Sequence, residues 1–166
     1  MPPRLRSLLL AFAFAAFAFG YAVDGAAARI PGPAHDRVER TRQKPTVGQR
    51  AARNALRAVG VPYRWGGASP TSGFDCSGLV YWAYGQLGVE LPHSSYALYG
   101  RGRPVARSRM KAGDLLFFSG LGHMGLYVGR GRMVHAPQSG RLVEVVSLVG
   151  THYGSRLVGA RRIAPA

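Results

Sequence analysis

FDCSGLVYWAYGQLGVELP, residues Phe74 to Pro92, holds the only cysteine of a 166-residue chain. Leu79, Val80, Ala83 and Leu87 recur at helical spacing and Gly88 supplies a stop, so a helix is expected from about Cys76 to Leu87. Cys76 stands at its N-terminus, where unpaired backbone N–H groups and the helix dipole favour an anion over a neutral thiol. A single cysteine can make no internal disulfide. The competing reading of Cys76 is a small buried hydrophobe, against which its polar neighbours Asp75 and Ser77 count.

Working outward, VGQRAARNALRAVGVPYRWGG (Val47 to Gly67) reads as an earlier helix. Val47, Ala51, Ala55, Leu56 and Val59 are expected on its buried face, and Gly60 and Pro62 end it. The stretch from there to Phe74 is dense in Gly, Pro and Ser and reads as loop. HSSYALYG (His93 to Gly100) fits a short third helix capped by Ser94 or Ser95. After Asp114 the pattern changes to short apolar runs separated by turn signals such as GRGR and QSGR, as an antiparallel sheet requires. Helices followed by strands predict an α+β domain over residues 47–166, with the helices packed on the sheet and Cys76 at a helix start.

The first 28 residues have the order of a signal peptide: Arg4 and Arg6, an apolar run from Leu8 to Phe19, then small residues at Ala26 and Ala28. The run falls short of the roughly 20 residues a spanning helix needs; an uncleaved N-terminal anchor is the alternative. Residues 29–46, rich in Pro and Arg, read as a flexible basic leader, and His35 within it is given no role. Export to the periplasm or cell envelope is thus expected.

The formal net charge of +15 favours anionic surroundings. All but Lys44 and Lys111 of the 22 basic residues are arginine, so part of the excess can reflect coding bias. Export argues against nucleic acid and for anionic envelope polymers. A monomer is expected.

A nucleophilic thiol needs a base, and the base a third group to hold its ring. Two histidines fall on consecutive predicted strands, His123 in GHMGLYVG and His135 in RMVHAP. A tight turn at Gly129 to Gly131 sets His123 opposite about Pro137 and His135 opposite about Gly125. The two histidines then share a sheet face as diagonal neighbours, with Cα atoms roughly 7 to 8 Å apart. A Cys/His/His zinc site is the alternative, but the close ligand spacing usual for zinc is missing; neither metal nor cofactor is expected. His93 and His152 are read as surface or loop residues, His93 with the option of bordering a cleft.

YRWGG, FDCSGLVYWAY, KAGDLLFF, GHMGLYVGRGRMVHAPQSG and VEVVSL, in this order across about Gly48 to Ile163, resemble the ordered motifs of the NlpC family of papain-like cysteine peptidases, bacterial cell-wall hydrolases. The resemblance implies a papain-like fold with Cys76 as nucleophile, His123 as general base and His135 as the residue that orients it. It also implies that Tyr63 lies beside the thiol near the oxyanion position, and that Asp75 and Ser77 flank the nucleophile and touch the substrate. The implied substrate is the peptide of peptidoglycan, cut in its stem or at its crosslinks through a thioester. Many members carry a Gln shortly after the LP that ends the opening stretch. HSSYALYG lacks it, so the resemblance carries the catalytic assignment and not one particular bond. A catalytically idle wall-binding module, and an amidase or acyltransferase using the same thiol, are the alternatives.

Overall fold

In the computed structural model, which describes residues 44–164, the first helix begins where the sequence offers a cap. The predicted signal peptide, and the leader up to residue 43, lie outside the described residues. Thr46 accepts the Gln49 backbone N–H while the Gln49 side chain accepts that of Thr46, a reciprocal capping box that satisfies two orphan donors. Helix α1 (Val47–Arg57) buries Ala51, Ala52, Asn54 and Ala55. Leu56 and Val59, expected on that face, are 40% and 47% exposed. Leu56 lies about 100° around the helix from Ala55, and Val59 falls beyond the last turn. Asn54 takes an interior place instead, its amide donating to the Ala83 carbonyl at 3.1 Å.

The Gly- and Ser-rich stretch expected as plain loop closes a small antiparallel hairpin, β1 (Ala68–Ser69) with β2 (Gly73–Phe74). It delivers the chain into α2 (Cys76–Gly85), which ends two residues short of the expected Leu87. Leu79, Val80, Ala83 and Tyr84 are buried against α1 and the sheet. Helix α3 (Ser95–Tyr99) forms as expected, with the Ser94 hydroxyl accepting the Ala97 N–H.

Six strands make one sheet: β3 (Arg103–Pro104), β4 (Leu115–Phe118), β5 (Met124–Gly129), β6 (Arg132–His135), β7 (Glu144–Ser147) and β8 (Leu157–Arg162). Their spatial order is β3-β8-β4-β5-β6-β7 and every pairing is antiparallel. The one-turn helix α4 (His152–Arg156), for which the sequence carried no signal, leads directly into β8.

Strand β4 is central and buried on both faces, which is why LLFF is an unbroken apolar run. Leu115 and Phe117 face the helices, while Leu116 and Phe118 face a second cluster with Met133, Leu148 and Ala160. The KAGD before it also has a structural explanation. Asp114, 1% exposed, accepts the backbone N–H of Lys111 at 2.7 Å and two guanidinium bonds from Arg162 at 2.6 Å, joining β4 to β8. The Tyr84 hydroxyl donates to the Gly113 carbonyl at 2.8 Å and ties α2 to the same corner.

Candidate active site

The start of α2 is held by Asp75, whose carboxylate gathers four donors. It accepts the N–H of Gly78 at 2.7 Å as N-cap, the Ser77 hydroxyl at 3.0 Å, the N–H of Gly66 at 2.9 Å and the His93 ring at 2.9 Å. Burial works to raise this carboxyl, but the donors from Gly78, His93 and Ser77 outweigh it and hold it below its ordinary range. Gly78 is required for the same assembly: a Cβ there would overlap the carbonyl oxygen of Gly67, so α2 could not approach the YRWGG loop. Residues distant in sequence thereby fix the cysteine against the strands.

Cys76 lines a cavity of about 500 Å³ together with Tyr63, Asp75, Ser77, His93 and His123. The three sequence-predicted substrate residues therefore face the same space as the thiol. Ser77 and Asp75 are buried and bonded to each other, whereas Trp65, also on the cavity wall, is 85% exposed. His93 borders the cleft and its ring stacks on Tyr81, with centroids 5.8 Å apart. It is the exposed loop residue the sequence suggested, on the cleft edge as the stated option had it, and the bond to Asp75 adds a contact of long sequence range.

The histidines sit on the β5–β6 hairpin in the expected register. Leu126 pairs with Val134 and Tyr127 with Met133, and the same register extended sets His135 opposite Gly125. The turn is built from Arg130 and Gly131, with φ of 53° and 67°, and a bulge between Tyr127 and Gly129 absorbs the odd residue. A side chain at Gly125 would crowd Met133 and the Cβ of His135. Its absence clears the sheet face across which Nε2 of His123 meets Nδ1 of His135 at 2.9 Å. The loop leading into His123 is secured from α3, where the buried Ser95 donates to the Leu121 carbonyl at 2.7 Å while Leu121 holds φ at 56°.

His135 is fully buried and its Nε2 has no hydrogen-bond partner; Oε1 of Glu144, on the neighbouring strand, is 3.6 Å away. The Tyr153 ring covers it edge-on with centroids 4.8 Å apart, and His152 stacks on Tyr153 at 4.0 Å. His152 is exposed, as the surface reading had it, and its contact with Tyr153 gives it a neighbour in the site. Tyr153 and Arg156 have no motif to mark them in the sequence, and Glu144 stands in VEVVSL with no role assigned to it. They arrive through α4 and β7.

Electrostatics oppose charge separation at rest. Burial raises the Cys76 thiol, the Asp75 carboxylate adds to this, and backbone N–H groups of Met124, Ser77 and Cys76 offset it in part. The helix start does favour the thiolate as expected, but burial outweighs it. Burial, then Arg156 and His152, pull His123 down to about 4. Burial, then His123, Arg141 and His152, pull His135 down to about 3. At neutral pH the site holds a thiol and two neutral imidazoles, a set suited to moving one proton during a reaction.

Comparison with known proteins gives concordant matches. The family model described as NlpC/P60 family matches residues 60–162. The murein DD-endopeptidase MepH of Escherichia coli is 40% identical over 121 residues, 68% of this chain and 45% of that protein. A probable endopeptidase of Mycobacterium tuberculosis is 55% identical over 95 residues, 57% of this chain and 24% of that protein. The chain therefore spans less than half the length of these relatives. Among solved structures, the peptidoglycan hydrolase RipB of Mycobacterium tuberculosis superposes with a TM-score of 0.62 at 34% identity, covering 72% of this chain and 66% of that one.

Proposed function

The chain belongs to the NlpC/P60 family, and from that membership we propose that it is an exported cysteine endopeptidase acting on amide bonds in the stem peptides or crosslinks of peptidoglycan. The observation that carries the reading is a free cysteine at a helix start facing the same cavity as a histidine that bonds a second, buried histidine. Export rests on the signal-peptide order of the first 28 residues.

In this mechanism Nε2–H of His123 donates to Nδ1 of His135, which leaves Nδ1 of His123 as the base. The Cys76 sulfur attacks the amide carbonyl carbon as its proton passes to Nδ1 of His123. The backbone N–H of Cys76 donates to the developing oxyanion, with Tyr63 beside it. The C–N bond then breaks, the nitrogen takes the proton from His123, and the amine half leaves a thioester on Cys76. Water, deprotonated by His123, hydrolyses the thioester, releasing the acyl half as a carboxylic acid and restoring the thiol. Asp75 holds the helix and the YRWGG loop in place, and with Ser77 it faces the bound peptide from the cavity wall.

The test is to incubate the chain with purified muropeptides and weigh the products. New free amine and carboxyl ends that vanish in Cys76→Ala are the expected result. Binding without turnover would replace this reading with a wall-binding module, and products joined to an added amine would make it a transferase.

A further inference from the structure

A second cavity, of about 410 Å³, lies on the far side of His123 and shares Gly122, His123 and Pro137 with the thiol cavity. Its wall carries Arg141, His152 and Arg156 and no Asp or Glu. Arg141 is matched by Glu144, whose two carboxylate oxygens it meets at 3.0 Å. Arg156 has no carboxylate partner among the described residues. Its backbone is nonetheless pinned: Ser119 N–H donates to the Arg156 carbonyl at 2.9 Å, and the Arg107 guanidinium donates to the Gly154 carbonyl at 2.9 Å, two residues earlier. An unmatched cation on an anchored helix, opening into a cavity with Gln138 on its wall, has the form of a carboxylate site.

The direction of the proposed reaction says whose carboxylate. The acyl half is attached at the sulfur, whereas the leaving nitrogen must come within reach of His123 to be protonated. The rest of the amine half then runs past His123, away from Cys76 and toward the second cavity. Resting on the hydrolase reading for that direction, we propose that this cavity is the subsite for the leaving half of the substrate and binds it through a carboxylate held by Arg156, with His152 and Gln138 beside it. An amine fragment of a stem peptide ends in such a group. Occupancy also has a chemical consequence. Arg156 and His152 disfavour a proton on His123, so an anion beside them eases proton uptake and couples binding of the leaving half to the base that serves it.

The probes are L-lysyl-D-alanine and its C-terminal amide, titrated calorimetrically into the Cys76→Ala protein, where no turnover intervenes. The acid is expected to bind about tenfold more tightly than the amide, since a charge-assisted contact at a part-exposed arginine carries a modest advantage. Arg156→Gln should abolish the difference and Arg156→Lys restore part of it. In the active chain, muropeptides with a free and an amidated C-terminus should show the same preference in kcat/KM. Equal affinity for acid and amide, or a preference that survives Arg156→Gln, overturns the subsite. Cleavage of muropeptides without any preference would leave the hydrolase standing and the subsite refuted. An Arg156-dependent preference in binding, with no cleavage by the parent, would leave a carboxylate site at Arg156 but overturn its assignment to a leaving half together with the hydrolase.

Discussion

The two walls that meet at the thiol are built in opposite ways. On the cysteine side, a single carboxylate, Asp75, caps α2 and gathers the loop donors, so the wall carries negative charge. On the histidine side, the β5–β6 hairpin and α4 surround His123 and His135 with Arg141, His152 and Arg156. Each wall carries the charge that disfavours ionisation of its own reactive group: Asp75 opposes the thiolate, and Arg156 and His152 oppose the imidazolium. A resting thiolate–imidazolium pair would suffer on both sides. Under the mechanism proposed above, this contrast means that reactivity is released by substrate rather than stored, with proton transfer favoured only as charge develops on the carbonyl oxygen.

Removing the reactive group on either wall is the most direct way to break the contrast. Cys76→Ala should lower muropeptide cleavage by about 10⁴-fold or more, since no nucleophile remains. Cys76→Ser should do nearly as badly, because a neutral histidine is a weak base toward an alcohol. His123→Ala should cost about 10³-fold, within the range of general acid–base catalysis. His135→Ala should cost about 10²-fold and His135→Asn about tenfold, because Asn can still present an acceptor to Nε2 of His123. Rates should be measured beside circular dichroism; parent-like cleavage by His135→Ala would reduce that residue to packing.

The cysteine wall was legible in the sequence and the histidine wall only in part, for a physical reason. A helix start and a tight turn are local, so Cys76 could be placed from neighbours alone, whereas the cap that Asp75 supplies was not read from the sequence. The facing of His123 and His135 followed once the turn set the register. Leu56 was misplaced because an alanine-rich stripe leaves the helix face ambiguous, and a buried Asn54 decides it. Arg156 and Tyr153 could not be found, because the short helix α4 that carries them comes beside the hairpin only through the long-range order of the whole sheet. His93 reaches Asp75 across 18 residues, and no periodicity reports that contact.

A smaller effect sharpens the role of Asp75. Asp75→Ala removes an N-cap and strands donors from Gly66, Gly78, Ser77 and His93. A cap alone is worth about 1 kcal/mol, and buried donors left unpaired add about as much again. Cleavage should fall about tenfold, with a thermal midpoint lowered by several degrees, since each kcal/mol shifts a domain of this size by about 3 to 6 °C. Asp114→Ala sets the comparison from outside the cleft. It leaves Arg162 without its buried partner and should cost about 3 kcal/mol of stability. The protein that remains folded should keep its turnover. Loss of turnover in proportion for both variants would dissolve the distinction between holding the thiol and holding the sheet.

The basic excess of the chain is a weaker and longer-ranged version of the histidine wall. With a net charge of +15, encounter with an anionic wall should be faster at low salt. Raising ionic strength from about 0.02 to about 0.3 M should slow digestion of whole sacculi several-fold, because the Debye length then falls below about 8 Å. Soluble muropeptides, which meet only the cleft, should slow by less. Equal slowing for both substrates would remove the surface arginines from the encounter.

The smallest effect expected is the one that most directly tests the neutral resting pair. An imidazole with an ordinary value near 6.5 would lose about tenfold of its base form between pH 7 and pH 5.5. Facing His123 are His135 from β6, His152, Tyr153 and Arg156 from α4, and the Cys76 thiol from α2. Burial, Arg156 and His152 hold it near 4, so it stays unprotonated and competent across that interval. The sign follows from the group's depressed value: the base form is complete above about 4 and is lost only as pH falls through it. The acid limb of kcat/KM, which reports the free enzyme, should therefore change by less than about twofold from pH 7 to 5.5. Arg156→Gln removes a cation that disfavours the imidazolium, so its acid limb should move to higher pH while the basic limb, set by the raised thiol, stays in place. A parent limb near 6.5 would mean that the two walls do not hold their groups neutral, and an Arg156→Gln limb that failed to move would take α4 out of the electrostatics of the base.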